Sequence, residues 1–261
     1  MSIGAGQPAP SVSVIGTGPA GEAAIRGLLA RGVRVTVFDE QPRTGGNIGR
    51  IRTTAPATPL EALAAESTGL SLHSGTRVLS VESDGRVWFE SGDGADQASF
   101  DAIVLACGAY DLHDPVPGLP ARGVTSAGAL QALGKGHGIL PRGRIVIAGS
   151  GPFLTVVAAG VVRAGGTVTH VIDRLHRSDY ARLAPWGVGI PGNSLEFMQK
   201  RRWLARAGVP IRYGTAVAAV GDGELLTEGD ERIPFDHLGL TERFVPQTQL
   251  ARTAGCEVNY D

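Results

Sequence analysis

The sequence predicts an α/β fold, and three observations lead to that prediction. A pattern of strand, glycine-rich turn, helix and strand begins at Ser11 and recurs from Arg144, which is typical of a repeated nucleotide-binding half. Hydrophobic residues make up 43% of the 261 residues and charged residues 19%, which is enough apolar material for a packed core. The 38 glycines indicate many tight turns or close backbone approaches to a ligand.

The first unit begins with a short apolar strand at Ser11–Gly16, followed by a glycine-rich turn at Gly18–Gly21 and a helix with an apolar stripe. Val33–Phe38 predicts a second strand, and a βαβ connection of this length requires parallel pairing with a right-handed crossover. The next stretch, Glu40–Thr58, is too rich in Gly, Thr and Pro for a regular element. Long loops of this kind inside a compact domain tend to be functional.

The middle of the chain predicts shorter elements. Thr76–Glu82 and Arg86–Glu90 predict a small antiparallel section, and Ala102–Ala106 predicts another buried parallel strand. The proline-rich piece Asp114–Pro120 is typical of a connection between domains.

The second unit repeats the pattern of the first. Arg144–Ala148 predicts a strand, Gly149–Gly151 a turn, residues 153–164 an apolar helix and Thr167–Ile172 a second strand.

A further helix is predicted at Ser194–Ala207. Asn193 and Glu196 match a capping box at its start, and Gly208 ends it. Because the total charge is near neutral, its basic run Lys200–Arg202 is interpreted as a solvated helix face.

The first glycine-rich turn meets the conditions for dinucleotide binding. Gly16 allows the tight turn, Gly18 lets the backbone approach a pyrophosphate, and Gly21 lets helix and strand pack closely. The helix N-terminus offers N–H groups and partial positive charge to the phosphates. Asp39, at the end of the second strand, is placed to accept hydrogen bonds from ribose hydroxyls.

Four stretches give a more specific resemblance, which covers nearly the whole chain from Val12. They are VTVFDEQPRTGGNIGR, ACGAYDLHDPVPG, GVTSAGALQALGKGHGILPRGRIVIAGSGP and FVPQTQLARTAGCE. Together with the glycine-rich turns they resemble the two-dinucleotide-fold flavoproteins of the pyridine nucleotide-disulfide oxidoreductase superfamily. Within it they are similar to the large subunits of heteromeric amine and amino-acid dehydrogenases, a group that covers opine oxidase, hydroxyproline dehydrogenase and hydrogen cyanide synthase subunits.

The resemblance implies an FAD-type Rossmann-like domain at 1–118 and 237–261, with a second Rossmann-like, NAD(P)-type domain inserted at 119–236. FAD would contact Gly16, Gly18, Pro19, Ala20, Gly21, Asp39, Glu40, Arg43, Gly46, Asn47, Val78, Ala106 and Gly108. In that arrangement Arg43 lies near the adenosine, Gly46 and Asn47 approach the flavin, the backbone of Val78 binds adenine, and Gly108 closes the site. The family usually has Gln in place of Asn47 and Thr in place of Cys107.

In the second domain the corresponding residues are Gly149, Gly151 and Asp173, but Leu154 stands where a third glycine would allow close packing. Three interpretations stay open for this domain: an NAD(P)H hydride site, an adenine-nucleotide pocket for NAD(P) or ATP without hydride transfer, and a relic of the fold.

The sequence ends at Asp261, before the late TxxPGVYAAGD-type motif and the late iron-sulfur cysteines of the resembled family. The fold is therefore expected to be C-terminally short. We expect either a truncated or split product, or FAD that binds weakly or is completed by another polypeptide.

Composition argues against several other partners. The sequence has 24 Lys and Arg against 25 Asp and Glu, so nucleic-acid binding is not expected. The longest apolar stretch, Phe153–Val162, is far shorter than the about 20 residues that span a bilayer. The N-terminus has no basic residue before Arg26 and no separate apolar signal core, which leads us to expect a cytoplasmic protein.

Other chemistries lack their motifs. Cys107 and Cys256 are far apart in sequence, so no metal cluster, disulfide scaffold or redox dithiol is expected. The six histidines show no metal-binding spacing, and no metal is predicted. Ser150 lacks the glycines two positions away on each side that a nucleophile elbow needs. The P-loop pattern of phosphoryl-transfer enzymes is absent from the sequence.

The resemblance therefore implies an FAD-dependent oxidoreductase subunit that oxidises an amino acid or secondary amine together with a separate flavin-containing catalytic subunit. No residue stands out as an acid, base or nucleophile, so the catalytic residues stay unknown and the redox chemistry would belong to the flavin. Two alternatives stay open: a non-catalytic nucleotide-binding or scaffolding subunit, and a stand-alone NAD(P)H-dependent reductase.

Overall fold

The computed structural model describes residues 9–50, 54–188 and 191–259. The chain divides into two compact units. Unit 1 runs up to Ala109 and resumes at Pro246, and unit 2 is Tyr110–Val245. Unit 2 is thus inserted in the sequence of unit 1, with changeovers at 109/110 and 245/246 where the sequence suggested 118/119 and 236/237.

The first elements of unit 1 alternate strands and helices, an antiparallel section follows, and β7 returns to the parallel sheet. They are β1 (Ser11–Ile15), α1 (Pro19–Leu29), β2 (Arg34–Asp39), α2 (Pro59–Glu66), β3 (Leu70–Ser74), β4 (Arg77–Val81), β5 (Arg86–Ser91), β6 (Gly94–Ser99) and β7 (Ala102–Leu105). The chain then passes through β8 (Ala109–Leu112), β9 (Val124–Ser126), α3 (Ala127–Ala132), a π-helical segment (Leu133–His137), β10 (Arg144–Gly149), α4 (Pro152–Arg163), β11 (Thr167–Asp173), α5 (Arg177–Val188), α6 (Pro191–Arg206), β12 (Ile211–Tyr213), β13 (Val217–Val220), β14 (Glu224–Thr227), β15 (Arg232–Pro234), β16 (His237–Thr241) and β17 (Arg243–Pro246). It ends in α7 (Gln249–Thr253).

Unit 1 is built on a parallel sheet in the order β3-β2-β1-β7. Val14 in β1 pairs with Val37 in β2 on one side and Val104 in β7 on the other. One face is covered by α1 and α2 through Ile25 and Leu60, and the other packs against the antiparallel sheet β4-β5-β6. The central strands β1 and β2 are buried along most of their length, although polar residues such as Ser13 and Thr36 alternate with the apolar ones.

The antiparallel section of unit 1 agrees with the sequence prediction for residues 76–90, since β4 and β5 pair antiparallel. The chain packs against this section again at its C-terminal end. Leu250 and Ala254 contact the buried cluster that includes Val81, and the Val81 N–H donates to Thr253 Oγ1 at 3.1 Å.

Unit 2 has its own parallel sheet in the order β12-β11-β10-β16-β9. The sequence placed the return to the first domain at about His237. The structure corrects this, because β16 lies between β10 and β9, with Leu238 paired to Val146. The apolar residues of β16 fill the centre of a parallel sheet that is covered on both faces, which requires β16 to stay with unit 2.

Helix α6 differs from its prediction in two features, its start and the environment of its basic run. The structure describes this helix from Pro191 onward, so Asn193 lies inside it and the cap predicted at Asn193 is wrong. In the basic run Arg202 is exposed, but Arg201 lies over the ring of Tyr213 with 5.5 Å between Cζ and the ring centroid.

The two glycine-rich turns hold their helices in different ways. In unit 1 a Cβ on Gly21 would overlap the carbonyl oxygen of Gly16, so only glycine allows this approach. In unit 2 Leu154 stands at the matching position and is fully buried in the apolar cluster that includes Leu130 of α3 and Ile147 of β10. Helix α4 is therefore anchored by an apolar side chain where α1 is anchored by close backbone approach.

We expect Leu154→Ala to lower the free energy of unfolding by about 2–5 kcal/mol, because it leaves a cavity in the core of unit 2. The matched control is Leu195→Ala, since Leu195 lies on α6 with 60% of its surface exposed and should change the free energy by no more than about 0.5 kcal/mol. Urea denaturation measures both. Equal effects of the two substitutions would show that Leu154 is not the anchor of α4.

Candidate functional site

The first glycine-rich turn lies where β1 ends and α1 begins. Gly16 has a φ of 101°, which favours glycine, and a Cβ there would overlap the carbonyl oxygen of Ala106. Close contact with its neighbours therefore fixes this part of the turn, and the Gly16 N–H donates to the Phe38 carbonyl at 2.8 Å.

The second glycine of the turn faces open space. No heavy atom lies within 4 Å of a Cβ built on Gly18, which caps α1. Pro19 occupies the first helical position, and the N–H groups of Ala20 and Gly21 belong to the first turn, where a helix offers no internal acceptor. An open surface bordered by such N–H groups, at the positive end of a helix dipole, suits a phosphate group.

Asp39 ends β2 and is only 6% exposed. Its Oδ2 accepts hydrogen bonds from the N–H of Thr17, at 2.8 Å, and from the Thr17 hydroxyl. Its Oδ1 accepts from the N–H of Gln41 at 2.8 Å. These bonds use three of the roughly four acceptor positions of a carboxylate. The sequence expected Asp39 to hold a ribose, whereas here the carboxylate ties the glycine-rich turn to the end of β2.

The carboxylate next to it is exposed to solvent. The side chain of Glu40 is 57% exposed; its Oε2 lies 3.8 Å from the Nε of Arg77, and its Oε1 accepts from the Nε2 of Gln41 at 3.4 Å. Arg77 also lies 3.5 Å from Glu90 across the antiparallel pair β4 and β5. Val78, where an adenine contact was expected, follows Arg77 on β4, an edge strand of its sheet among the described residues.

The double glycine after β2 folds onto the first turn. The Gly45 N–H donates to the Thr17 hydroxyl at 3.1 Å, and a Cβ on Gly46 would lie 2.8 Å from the Cα of Gly18. The amide oxygen of Asn47 accepts from Arg50 Nη2 at 2.8 Å.

Arg43 is the residue expected near an adenosine, and its guanidinium is engaged by protein acceptors. It donates to Glu61 at 3.0 and 2.8 Å and to the carbonyls of Ala55 and Pro56. Arg43 and the N–H of Thr44 hold the pKa of the Glu61 carboxyl at about 2, well below its usual range. This network fixes the loop to the start of α2.

Sequence reasoning missed this network, although its signal was present. Thr58 and Glu61 form a capping box at the start of α2, and Thr followed three residues later by Glu is its usual pattern. Between this loop and α1 lies a cavity of about 390 Å³, whose lining includes Glu22, Gly45 and Leu60. This cavity was also not predicted.

The end of β7 completes this edge of the sheet. The Ala106 N–H donates to the Ile15 carbonyl at 2.8 Å, and Gly108 has a φ of 72° with open space around a Cβ. Cys107, between them, is half-buried, and burial raises the pKa of its thiol. The structure thus brings the expected residues 16, 18, 21, 39, 46 and 106 to one edge.

The second glycine-rich turn repeats the aspartate arrangement in unit 2. Asp173 is buried at the end of β11 and accepts from the N–H groups of Gly151 and Leu175 at 3.1 and 3.0 Å and from the Tyr180 hydroxyl. Burial raises the pKa of this carboxyl. Gly149 has a φ of 138° and lies against the Thr241 carbonyl, and Gly151 has a φ of 92° with open space around a Cβ.

In the part of the chain that the structure describes, no group of three or more His, Cys, Asp or Glu side chains is arranged to hold a metal ion. Among the described helices, none is both long and apolar enough to cross a membrane.

A family model for pyridine nucleotide-disulphide oxidoreductases matches residues 10–261. The chain belongs to this family. The sequence-based assignment of the fold and of the family is thereby confirmed, including two Rossmann-like units built on parallel sheets.

Curated relatives of this chain include proteins that are named as enzyme subunits. An opine oxidase subunit of Rhizobium meliloti (strain 1021) is 30% identical over 95% of this chain and 59% of its own length. Hydrogen cyanide synthase subunit HcnB of Pseudomonas aeruginosa is 29% identical over 94% of this chain and 59% of its own length. The chain thus spans about three fifths of the length of these relatives.

Solved structures show the same fold. A NAD-dependent persulfide reductase from A. fulgidus matches with a TM-score of 0.66 and 18% identity, over 95% of this chain and 49% of the other. Histamine dehydrogenase from Rhizobium sp. 4-9 matches with a TM-score of 0.63 and 22% identity, over 97% and 38% of the two chains.

We expect Glu61→Gln to destabilise unit 1 in a pH-dependent way. The folded carboxyl has a pKa of about 2 and the ordinary value is 4.5, so its contribution is complete above about pH 4.5 and is lost as the pH falls toward 2. The difference in free energy of unfolding between wild type and Glu61→Gln should therefore shrink over that window. Urea denaturation at a series of pH values measures it.

The matched control is Glu66→Gln, at the exposed end of the same helix. Its difference from wild type should be small at neutral pH. A Glu61→Gln difference that stayed constant down to pH 2 would contradict the role given to the Arg43 pair.

Proposed function

We propose that this chain is the FAD-binding part of an oxidoreductase that oxidises an amino acid or secondary amine together with a separate catalytic subunit. The observation that carries the proposal is the open, N–H-lined surface at Gly18, held in place by the buried Asp39 and bordered by the exposed Glu40. Such a surface accepts a pyrophosphate beside an adenosine ribose.

The residues present fit this group. Gly18, Ala20 and Gly21 would hold the pyrophosphate. It would lie in the open space at Gly18, which a larger side chain there would fill. Glu40 would accept hydrogen bonds from the ribose hydroxyls, since the acceptor positions of Asp39 are largely used by Thr17 and Gln41. FAD, when bound, would supply the two-electron oxidation of a C–N bond.

The remaining expected contacts have weaker support. The edge position of Val78 on β4 and the open space at Gly108 are compatible with a cofactor. The engaged side chains of Arg43 and Asn47 make structural roles in the loop the better assignment.

The proposal of a hetero-oligomer is supported by the relatives, because HcnB and the opine oxidase relative are both named as subunits. A scaffolding role without redox activity is the second candidate. This role is favoured by two features of unit 2: Leu154 replaces the third glycine, and the Tyr180 hydroxyl donates to the Asp173 carboxylate.

We expect Glu40→Gln to weaken FAD binding by about 10- to 100-fold, the range expected for hydrogen bonds to a charged group, without lowering the free energy of unfolding. The matched control is Glu90→Gln, which removes the other carboxylate beside Arg77 and should leave FAD affinity unchanged. Calorimetric titration of the cofactor-free chain with FAD gives both affinities.

The substitution Asp39→Asn distinguishes a structural role of Asp39 in the turn from a direct contact of Asp39 with the ribose. If Asp39 holds the turn, this variant loses stability along with FAD binding, because the amide cannot accept from Thr17 and Gln41 as the carboxylate does. If Asp39→Asn kept normal stability but lost FAD binding, while Glu40→Gln kept FAD binding, the ribose contact would be assigned to Asp39 and not to Glu40.

A further inference from the structure

The two units share the contact that holds the glycine-rich turn against a neighbouring strand. In unit 1 a Cβ on Gly16 would overlap the carbonyl oxygen of Ala106, which directly follows β7. In unit 2 a Cβ on Gly149 would overlap the carbonyl oxygen of Thr241, the last residue of β16, in the same way. The residue that follows this carbonyl therefore stands at a matching position in both units.

The side chain at this position is a thiol in unit 1 and a carboxylate in unit 2. Cys107 follows Ala106, and burial raises the pKa of its thiol, which keeps the thiol uncharged. Glu242 follows Thr241, and its backbone is fixed because its N–H donates to the Leu112 carbonyl at 2.8 Å. Unit 2 thus carries an acid where unit 1 carries a neutral group.

Carboxylates stand on both sides of the second glycine-rich turn. The sheet order places β10, which leads into this turn, between β11 and β16. Asp173 ends β11 and Glu242 follows β16. The Glu242 carboxylate is half-buried and repels the Asp173 carboxylate electrostatically. The turn is therefore flanked by acidic side chains from both neighbouring strands.

The arginines near Glu242 are engaged by another carboxylate. Arg174 lies 3.6 Å from Asp114, and Arg243 also pairs with Asp114. Among the described residues, no cationic side chain forms an ion pair with Glu242. Burial raises the pKa of the Glu242 carboxyl, Arg174 and Arg243 act against this, and Asp114 and Asp173 add to it. The cations at this edge thus leave Glu242 without a direct partner.

The space beside this turn is open nevertheless. Gly151 has no heavy atom within 4 Å of a Cβ built on it, as is also true of Gly18 in unit 1. Helix α4 begins at Pro152 and directs the positive end of its dipole to this space. The shape of the turn would therefore accept a phosphate group, and the acidic side chains around it oppose one.

We propose that Glu242 determines the specificity of unit 2 by excluding the pyrophosphate of a dinucleotide from the space at Gly151. A pyrophosphate at this turn would bring its negative charges to an edge that already holds two carboxylates, and like charges repel more strongly beside protein than in bulk water. A pyridine nucleotide therefore does not fit the residues of unit 2. This inference goes beyond the proposed function and does not depend on FAD binding by unit 1.

The test compares ADP, which carries a pyrophosphate, with adenosine, which does not, by calorimetric titration of the full chain saturated with FAD. Glu242→Gln removes the charge and should strengthen ADP binding at least about tenfold over wild type, while adenosine binding stays unchanged. Glu242→Cys copies the residue of unit 1 and should give the same gain. The matched control is Glu228→Gln, at an exposed position between β14 and β15 of the same unit, which should leave ADP binding as in wild type.

Equal ADP affinities of wild type and both Glu242 variants, including no detectable binding to any of them, would overturn the proposal. A gain that extends to adenosine, or that Glu228→Gln shows as well, would also overturn it. Urea denaturation shows whether each variant is folded. The visible absorption of the same samples reports FAD separately, so failure of FAD binding is distinguishable from failure of this proposal.

Discussion

A buried carboxylate at the end of the second strand is the constraint on which both units depend. Asp39 and Asp173 each accept hydrogen bonds from the glycine-rich turn and from the chain that leaves the sheet. Such a carboxylate is stable inside the protein only because these donors replace its water. The turn is thereby fixed against the sheet, and the helix that follows presents its N-terminus in a set position.

The residue that follows each aspartate differs in charge between the units. It is Glu40 in unit 1, which lies beside Arg77, and Arg174 in unit 2, which lies beside Asp114. The loop that would cover the first site is held separately, through the Arg43 and Glu61 pair.

The sequence predicted those features that backbone geometry alone demands. Gly16 and Gly21 were found from spacing, since no other residue fits those contacts. The hydrogen-bond partners of Asp39 were not predicted, because the direction of a side chain at a strand end depends on the turn that faces it. The place of β16 and the contact of Arg201 with Tyr213 were missed for a related reason: both join segments that are distant in sequence and come together only when unit 2 packs.

We propose that unit 1 holds FAD through the surface at Gly18. The visible absorption spectrum of the purified full chain, recorded after incubation with FAD and removal of the unbound cofactor, tests this. We expect about one flavin per chain, and we expect a Gly18→Val variant to fold but to stay colourless because its side chain fills the open space. A wild-type chain that retains no flavin, or a Gly18→Val variant that retains as much as wild type, would contradict it.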